Sequence, residues 1–121
     1  MMDKQEFLAK FKDIIDKTWQ LFNEKNEQYA TNDPLANFSK GSLLKFGCND
    51  YFHMYSVLKD YMNKHIAHVY NNSIEGGKVR ESLGDIAVYC IIGMIMLDAH
   101  KELKEFPAWR SEVLGEFKPK E

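Results

Sequence analysis

Twelve consecutive uncharged residues, from Ile86 to Leu97, follow two carboxylates in the second half of the chain. A helix that is apolar on every side is normally buried. A carboxylate entering such surroundings needs a partner, a metal ion or a proton. Glu81 and Asp85 are four residues apart and would share one face of that helix. The segment therefore predicts a core helix whose N-terminal carboxylates bind a partner group, a metal ion or a proton.

Apolar residues recur at three- and four-residue steps through most of the chain, which is the pattern of amphipathic helices. In the first segment they are Phe7, Leu8, Phe11, Ile14, Ile15, Trp19 and Phe22. Turn residues separate this segment from a second helix at 35–46, a third that Asn49 or Asp50 would cap, and a fourth from about 78 to 104. The sequence therefore predicts an all-α fold, a compact bundle of four main helices.

The chain of 121 residues is long enough for one domain, 1–121. Asp33 as N-cap and Pro34 at the first helical position would begin the second helix, and Gly47 would end it. Residues 1–105 would form the bundle, and 106–121 a C-terminal extension. A short amphipathic helix in that extension would carry Trp109, Val113, Leu114 and Phe117.

Composition and charge favour a soluble cytoplasmic protein. The net charge of −2 gives the protein no overall electrostatic attraction to long nucleic acid or to an acidic membrane. The two cysteines form no disulfide framework, and Cys90 reads as a small buried residue of the apolar segment. The N-terminus has no apolar signal region. The segment from Ile86 to Leu97 is shorter than the ~20 residues that span a bilayer.

Four carboxylates are candidate ligands for Mg²⁺, which prefers oxygen donors. Glu24 and Glu27 lie three residues apart on the first helix, and Glu81 and Asp85 lie on the fourth. Facing each other across a bundle, they could hold the ion between two helices. The alternative is that Glu24 and Glu27 belong to a solvated face, while Glu81 and Asp85 favour the positive end of a helix and pair with lysines.

Other polar residues suit an anionic ligand. Asn37 follows Asp33 at a helix start, where backbone N–H groups favour phosphate, although Asp33 can be explained as a cap alone. Lys64 and His65 suit a phosphate or a ribose; the alternative is a snorkelling lysine beside a histidine at the edge of the core. Arg80 is either a phosphate clamp or an ion-pair partner of its neighbour.

These elements, in their order along the chain, resemble a known group of proteins. The matching segments are Glu24-Lys25-Asn26-x-x-Tyr29, Asp33-Pro34-Leu35-Ala36-Asn37-Phe38, Lys64-His65, and Glu81-Ser82-x-x-Asp85-x-x-x-Tyr89. The group consists of small phage-encoded nucleotide-modification-associated proteins, related in pattern to the MazG-like all-α NTP pyrophosphatases. The resemblance covers roughly residues 20 to 97.

The resemblance implies a MazG-like helical bundle, usually a homo-oligomer, that binds a nucleotide through acidic residues and often Mg²⁺. Carried over by position, the catalytic and metal-binding carboxylates would be Glu24, Glu27, Glu81 and Asp85. The nucleotide-binding residues would be Lys25, Asn26, Tyr29, Asp33, Asn37, Phe38, Lys64, His65, Arg80, Ser82 and Tyr89. A phage-encoded protein of this kind would act in the cytoplasm of the host, on a small molecule and not on a membrane.

The chain departs from the enzymes of that group at two places. Lys25 and Asn26 stand inside the first acidic motif, and Ser82 stands where a second glutamate is common. Three functions are therefore expected as alternatives. The first is Mg²⁺-dependent hydrolysis of a nucleoside triphosphate or a related nucleotide. The second is a non-catalytic sponge for cyclic nucleotides of bacterial anti-phage immunity, which would make the chain an anti-defence protein. The third is a protein-interaction module that uses the aromatic C-terminal segment.

Overall fold

The computed structural model describes residues 1–28 and 33–105, and this part of the chain is helical without strands. Its elements are α1 (Lys4–Gln28), α2 (Ala36–Phe46), α3 (Tyr51–Tyr70) and α4 (Val79–Glu105). The predicted all-α class and the four main helices are confirmed. Tyr29 and the predicted C-terminal helix in 106–121 lie outside the described residues.

The second helix begins later than the sequence predicts. The Asp33 carboxylate accepts a hydrogen bond from the backbone N–H of Leu35 at 2.9 Å, and the N–H of Ala36 donates to the Asp33 carbonyl at 3.2 Å. Asp33 therefore closes a turn in front of the helix, as Asp side chains commonly do, and Leu35 takes the N-cap position. The predicted end is confirmed, because Gly47 caps α2 in the left-handed conformation with φ 75°.

The cap of α3 is Asp50, one of the two residues predicted for it. Its carboxylate accepts a hydrogen bond from the backbone N–H of His53 at 2.8 Å. At the start of α1, the carboxylate of Asp3 likewise accepts from the backbone N–H of Glu6 at 2.9 Å. Each bond satisfies a donor that a helix start leaves without an intrahelical partner.

The core lies where α2, α3 and α4 meet. Its buried hydrophobic residues are Phe38, Met54, Val57, Leu58 and Met96. Leu58 and Met96 are each only 1% exposed. Full burial of such a side chain contributes roughly 1.5–3 kcal/mol relative to leaving it in water. These contacts fix α3 against α4, and with them the part of α4 that carries Glu81 and Asp85.

The burial predicted for α4 is wrong within one protomer, and the apolar face of α1 is not covered either. The apolar stripe of α1 faces solvent: Phe11 is 56% and Trp19 63% exposed. Leu83 and Met94 on α4 are more than half exposed, and Cys90 is exposed rather than buried. The physical reason is that α3 covers one side of α4, while α1 meets α4 over a short stretch. The apolar pattern shows which faces avoid water but not what covers them.

Helix α4 is also long and apolar enough to cross a membrane, judged by length and composition alone. The segment Val79–Leu103 has 25 residues, a mean hydropathy of 1.7 in its most apolar window, and 17% of that window buried. The sequence-based count of twelve residues stopped at Leu97, whereas the helix continues past Asp98. Core helices of soluble proteins meet the same criterion.

Candidate functional site

A cleft of about 950 Å³ lies between α1, the beginning of α2 and the first half of α4, with Tyr61 of α3 in its wall. The start of α2, from Asp33 to Phe38, and the start of α4, from Lys78 to Asp85, both contribute to its lining. Two helix N-termini therefore meet at the cleft. Their unpaired backbone N–H groups and dipoles favour a negatively charged ligand.

The charges lining the cleft are mainly positive. Five basic side chains line it: Lys17, Lys25, Lys40, Lys78 and Arg80. Three carboxylates face them, which leaves an excess of two positive charges in a chain whose net charge is −2. Lys17 forms an ion pair with Asp13 at 2.9 Å. Within residues 1–28 and 33–105, the other four have no carboxylate within 4 Å, so no ion pair with a described residue neutralises their charge.

The two carboxylates of α4 have different surroundings. Glu81 is exposed, whereas Asp85 is partly buried and lies 3.5 Å from Nδ1 of His65 on α3. The His65 side chain is 17% exposed and that of Asp85 38%. A partner for the inner carboxylate, which the sequence required, is thus supplied by α3. His65 does not line the cleft; its contact with Asp85 is an ion pair only when the imidazole is protonated.

Aromatic rings form the inner wall of the cleft. The ring centroid of Phe38 lies 5.7 Å from that of Tyr61 and 6.2 Å from that of Tyr89, the latter in an edge-to-face arrangement. The Tyr61 hydroxyl donates a hydrogen bond to the carbonyl of Asn37 at 3.4 Å. Burial, with the nearby charge of Asp85, raises the pKa of Tyr89 above its usual value of 10.0. The Tyr89 hydroxyl therefore stays a hydrogen-bond donor at neutral pH.

The structure brings most of the predicted site residues to this cleft. Those that line it are Lys25, Asn26, Asp33, Asn37, Phe38, Arg80, Glu81, Asp85 and Tyr89. Lys64 is exposed on α3 away from it, and Ser82 is buried on the inner side of α4. Tyr29 lies outside the described residues.

The four predicted metal ligands do not come together. Glu24 and Glu27 are exposed on α1 and do not line the cleft that contains Glu81 and Asp85. In the part of the chain that the structure describes, these four carboxylates form no group of three or more ligand atoms within 4.8 Å of one another. The short contact between α1 and α4 places only one of the two acidic motifs at the cleft.

Some residues of the cleft were not anticipated from the sequence. Lys17 and Lys40 look like ordinary lysines of solvated helix faces, and Lys78 precedes the fourth helix in a glycine-rich loop. Tyr61 reaches the cleft because Gly41 lets α2 approach α3 closely; a Cβ at Gly41 would lie 2.5 Å from the Tyr61 hydroxyl. Only the tertiary packing brings these residues to one site.

The fold and the cleft define a class: a small all-helical protein with an anion-suited cleft at the meeting point of two helix N-termini. No protein-family model, no curated protein and no solved structure matches the chain. The resemblance to the MazG-like and nucleotide-modification-associated proteins therefore stays a prediction from the sequence motifs.

Proposed function

We propose that the protein binds a nucleotide in this cleft and retains it without cleavage. The observation that carries the proposal is the set of four basic side chains without a carboxylate partner among the described residues. They stand beside an aromatic wall and two helix N-termini. Phosphate groups satisfy the positive charges and the backbone N–H groups, and a base stacks or packs on the aromatic rings.

Individual residues take distinct roles in this proposal. Arg80 and Lys40 contact phosphate oxygens from α4 and α2, and Lys25 does so from α1. Tyr89 offers its protonated hydroxyl to a sugar or base, next to the ring of Phe38. The ligand class is a nucleoside triphosphate or a cyclic nucleotide. A chain that retains a cyclic nucleotide signal of bacterial immunity would act as a phage anti-defence protein in the host cytoplasm.

A thermal-shift screen of nucleotides and cyclic nucleotide signals, with and without Mg²⁺, tests the proposal. A ligand that binds only the folded chain raises the melting temperature by mass action. We expect the double variant Lys40→Ala and Arg80→Ala to lose that rise, and Lys10→Ala with Lys64→Ala, both outside the cleft, to keep it. The bound ligand should be recovered unchanged after denaturation. If no nucleotide raised the melting temperature, the proposal would be wrong.

Mg²⁺-dependent hydrolysis is the second candidate function, and one observation favours it. Glu81 and Asp85 line the same cleft as the unpaired basic residues. Two carboxylates fit Mg²⁺, which commonly takes one or two from the protein and completes its shell with water and phosphate oxygens. The ion would polarise the phosphate and lower the pKa of a bound water. Glu24 and Glu27 lie outside the cleft and add no ligand there.

A pyrophosphate and phosphate release assay over the same nucleotide panel distinguishes the two candidates. Hydrolysis predicts turnover with Mg²⁺ or Mn²⁺ that Glu81→Gln and Asp85→Asn each abolish, while Glu27→Gln leaves it unchanged. Binding without cleavage predicts no product at high protein concentration. Product release that persists in both variants would contradict the assignment of these carboxylates.

We propose in addition that the functional unit is a homo-oligomer. The exposed apolar faces of α1 and α4 are larger than a single protomer of this size normally leaves in water. A second copy offers the same two faces and can cover them in a symmetric contact.

A further inference from the structure

Three side chains of different chemistry converge at the junction of α2 and α3, outside the cleft. The Sγ atom of Cys48 lies 3.3 Å from Nδ1 of His53, and that nitrogen lies 2.6 Å from Oδ1 of Asp50. All three potential ligand atoms are within 4.8 Å of one another. They are supplied by the short segment Cys48-x-Asp50-x-x-His53, which needs only the local fold to bring them together.

The surrounding chain holds this segment in place. The left-handed Gly47 turns the chain out of α2. The hydroxyl of Ser42, which is fully buried, donates to the Cys48 carbonyl at 2.5 Å. The side-chain amide of Asn49 donates to the Ser39 hydroxyl at 2.8 Å. The backbone on both sides of the thiol is therefore tied to α2, as a preformed site requires.

The other two groups belong to the start of α3. The His53 ring packs between Phe46 and Phe52, with ring centroids 4.9 and 5.2 Å away. The Asp50 carboxylate accepts the hydrogen bond from the backbone N–H of His53 at 2.8 Å, which keeps it at the start of α3. Asp50 is exposed, whereas Cys48 and His53 are half-buried, so the group is open to ions in solution.

The geometry does not fit a nucleophilic relay of cysteine, histidine and aspartate. In such a relay the two ring nitrogens of the histidine contact different partners. Here Cys48 and Asp50 both approach the same nitrogen, Nδ1 of His53. A single nitrogen cannot accept the proton of the thiol while it donates a hydrogen bond to the carboxylate.

We propose that Cys48, Asp50 and His53 form a Zn²⁺ site. Usual Zn–S, Zn–N and Zn–O lengths in a tetrahedron separate the donors by about 3.3–3.6 Å. The observed 3.3 Å between sulfur and nitrogen has to widen by about 0.3 Å, and the 2.6 Å between nitrogen and oxygen by about 0.7 Å, through rotation of the Cys48 and Asp50 side chains. The thiolate and the carboxylate balance the charge of the ion.

The donor types select the metal. Sulfur and imidazole nitrogen suit Zn²⁺ and related transition metals, whereas Mg²⁺ takes oxygen ligands. The three protein ligands leave a fourth tetrahedral position for water or for a group from outside the chain. This site is independent of the cleft, since none of its three residues lines the cleft.

Metal titration of the reduced, metal-free full chain tests the site. In competition with a chromophoric chelator, each chain should bind one Zn²⁺ ion. Cys48→Ser and His53→Gln should each lower the affinity by at least the roughly 10–100-fold that the loss of an outer-shell partner costs. Asp50→Asn keeps a good helix cap and removes only the charged ligand, so it should weaken Zn²⁺ binding with α3 intact. Cys90→Ser, at the exposed cysteine of α4, is the matched control and should bind like the wild type.

Co²⁺ in place of Zn²⁺ identifies the sulfur ligand even if Cys48→Ser folds poorly. The wild type and Cys90→Ser should both show thiolate-to-metal charge-transfer absorption in the near ultraviolet. Loss of that band in Cys90→Ser would show that the sulfur ligand is Cys90 and not Cys48, and would overturn the proposal. Zn²⁺ affinity that is equal in the wild type and a folded Cys48→Ser, or no binding at micromolar Zn²⁺, would also overturn it. In either case a cap without metal is the correct description.

Discussion

Tyr89 is the residue whose ionisation is most clearly coupled to the cleft. Burial first, and then the charge of Asp85, raise its pKa above 10.0. Because the pKa of Tyr89 is higher in the folded chain than in the unfolded chain, its contribution to stability is complete below the pKa of the unfolded state. That contribution is lost as the pH rises through the pKa of the folded state. Between these values the unfolded chain releases the proton more readily than the folded chain.

The resulting prediction concerns stability at alkaline pH. As the pH rises past 10, the wild type should lose more of its free energy of unfolding than Tyr89→Phe, because the variant has no phenol to ionise. Urea unfolding of both proteins between neutral and alkaline pH measures the difference. The other tyrosines and the lysines titrate in both proteins and cancel in the comparison. Parallel pH profiles would show that the Tyr89 hydroxyl is not in a buried environment.

His65 is the second residue on which the geometry of the cleft depends. Its imidazole is 3.5 Å from the Asp85 carboxylate, and its ring centroid is 5.7 Å from that of Tyr89. We expect His65→Ala to lower the free energy of unfolding by about 1 kcal/mol, because its largely buried ring packs against Tyr89 and contacts Asp85. Lys64→Ala, at the exposed neighbouring position, should change it by less than about 0.5 kcal/mol. If both variants lowered the free energy of unfolding equally in a urea titration, His65 would have no special role.

Among the elements, α2 shows most clearly which boundary signals are local. Its end is set by Gly47 at φ 75°, a conformation that costs other residues roughly 1–2 kcal/mol. Gly47→Ala should therefore lower the free energy of unfolding by about 1 kcal/mol, measured from the urea midpoint. Gly77→Ala is the control, since Gly77 has no positive φ and nothing within 4 Å of an added Cβ. An unchanged midpoint in Gly47→Ala would show that the αL cap contributes little.

The sequence could predict the helices and their caps because those signals act within a few residues. Gly47 and Asp50 stand next to the backbone groups that they terminate or cap, so their roles could be inferred without tertiary information. The start of α2 could not, because Asp33 as a cap and Asp33 as a turn residue have the same sequence signature. The pairing of Glu81 and Asp85 with Glu24 and Glu27 also failed to appear in the structure, since it depends on how α1 lies against α4.

At the scale of the whole molecule, the periodicity of α1 and α4 is explained only if their apolar faces are covered. Seven large apolar side chains on α1 and six on α4 are at least 46% exposed. Ile14 and Leu21 line the cleft; at about 80–100 Å² each, the other eleven groups amount to roughly 900–1,100 Å² per protomer, the range of a homodimer interface. The opposite face of α1 carries the ion pair Lys12–Asp16, which suits water.

The oligomer prediction is that a charge in the apolar face dissociates the assembly. Phe11→Glu on α1 or Met94→Glu on α4 should convert the wild-type oligomer into a monomer, measured by size exclusion with light scattering at micromolar concentration. Ala9→Glu is the matched control, because it places the same charge on the opposite side of α1 and should leave the oligomer intact.

Vesicle flotation tests whether a second copy of the chain or a membrane covers the apolar face of α4. Val79–Leu103 is long and apolar enough for a bilayer, so the wild type would float with lipid if a membrane were the partner. An oligomer predicts that it stays with the soluble fraction, and that Met94→Glu lowers its melting temperature in a concentration-dependent way. A wild type that is monomeric without lipid and bound to vesicles with lipid would contradict the oligomer. It would place α4, and with it Glu81 and Asp85, at a membrane surface.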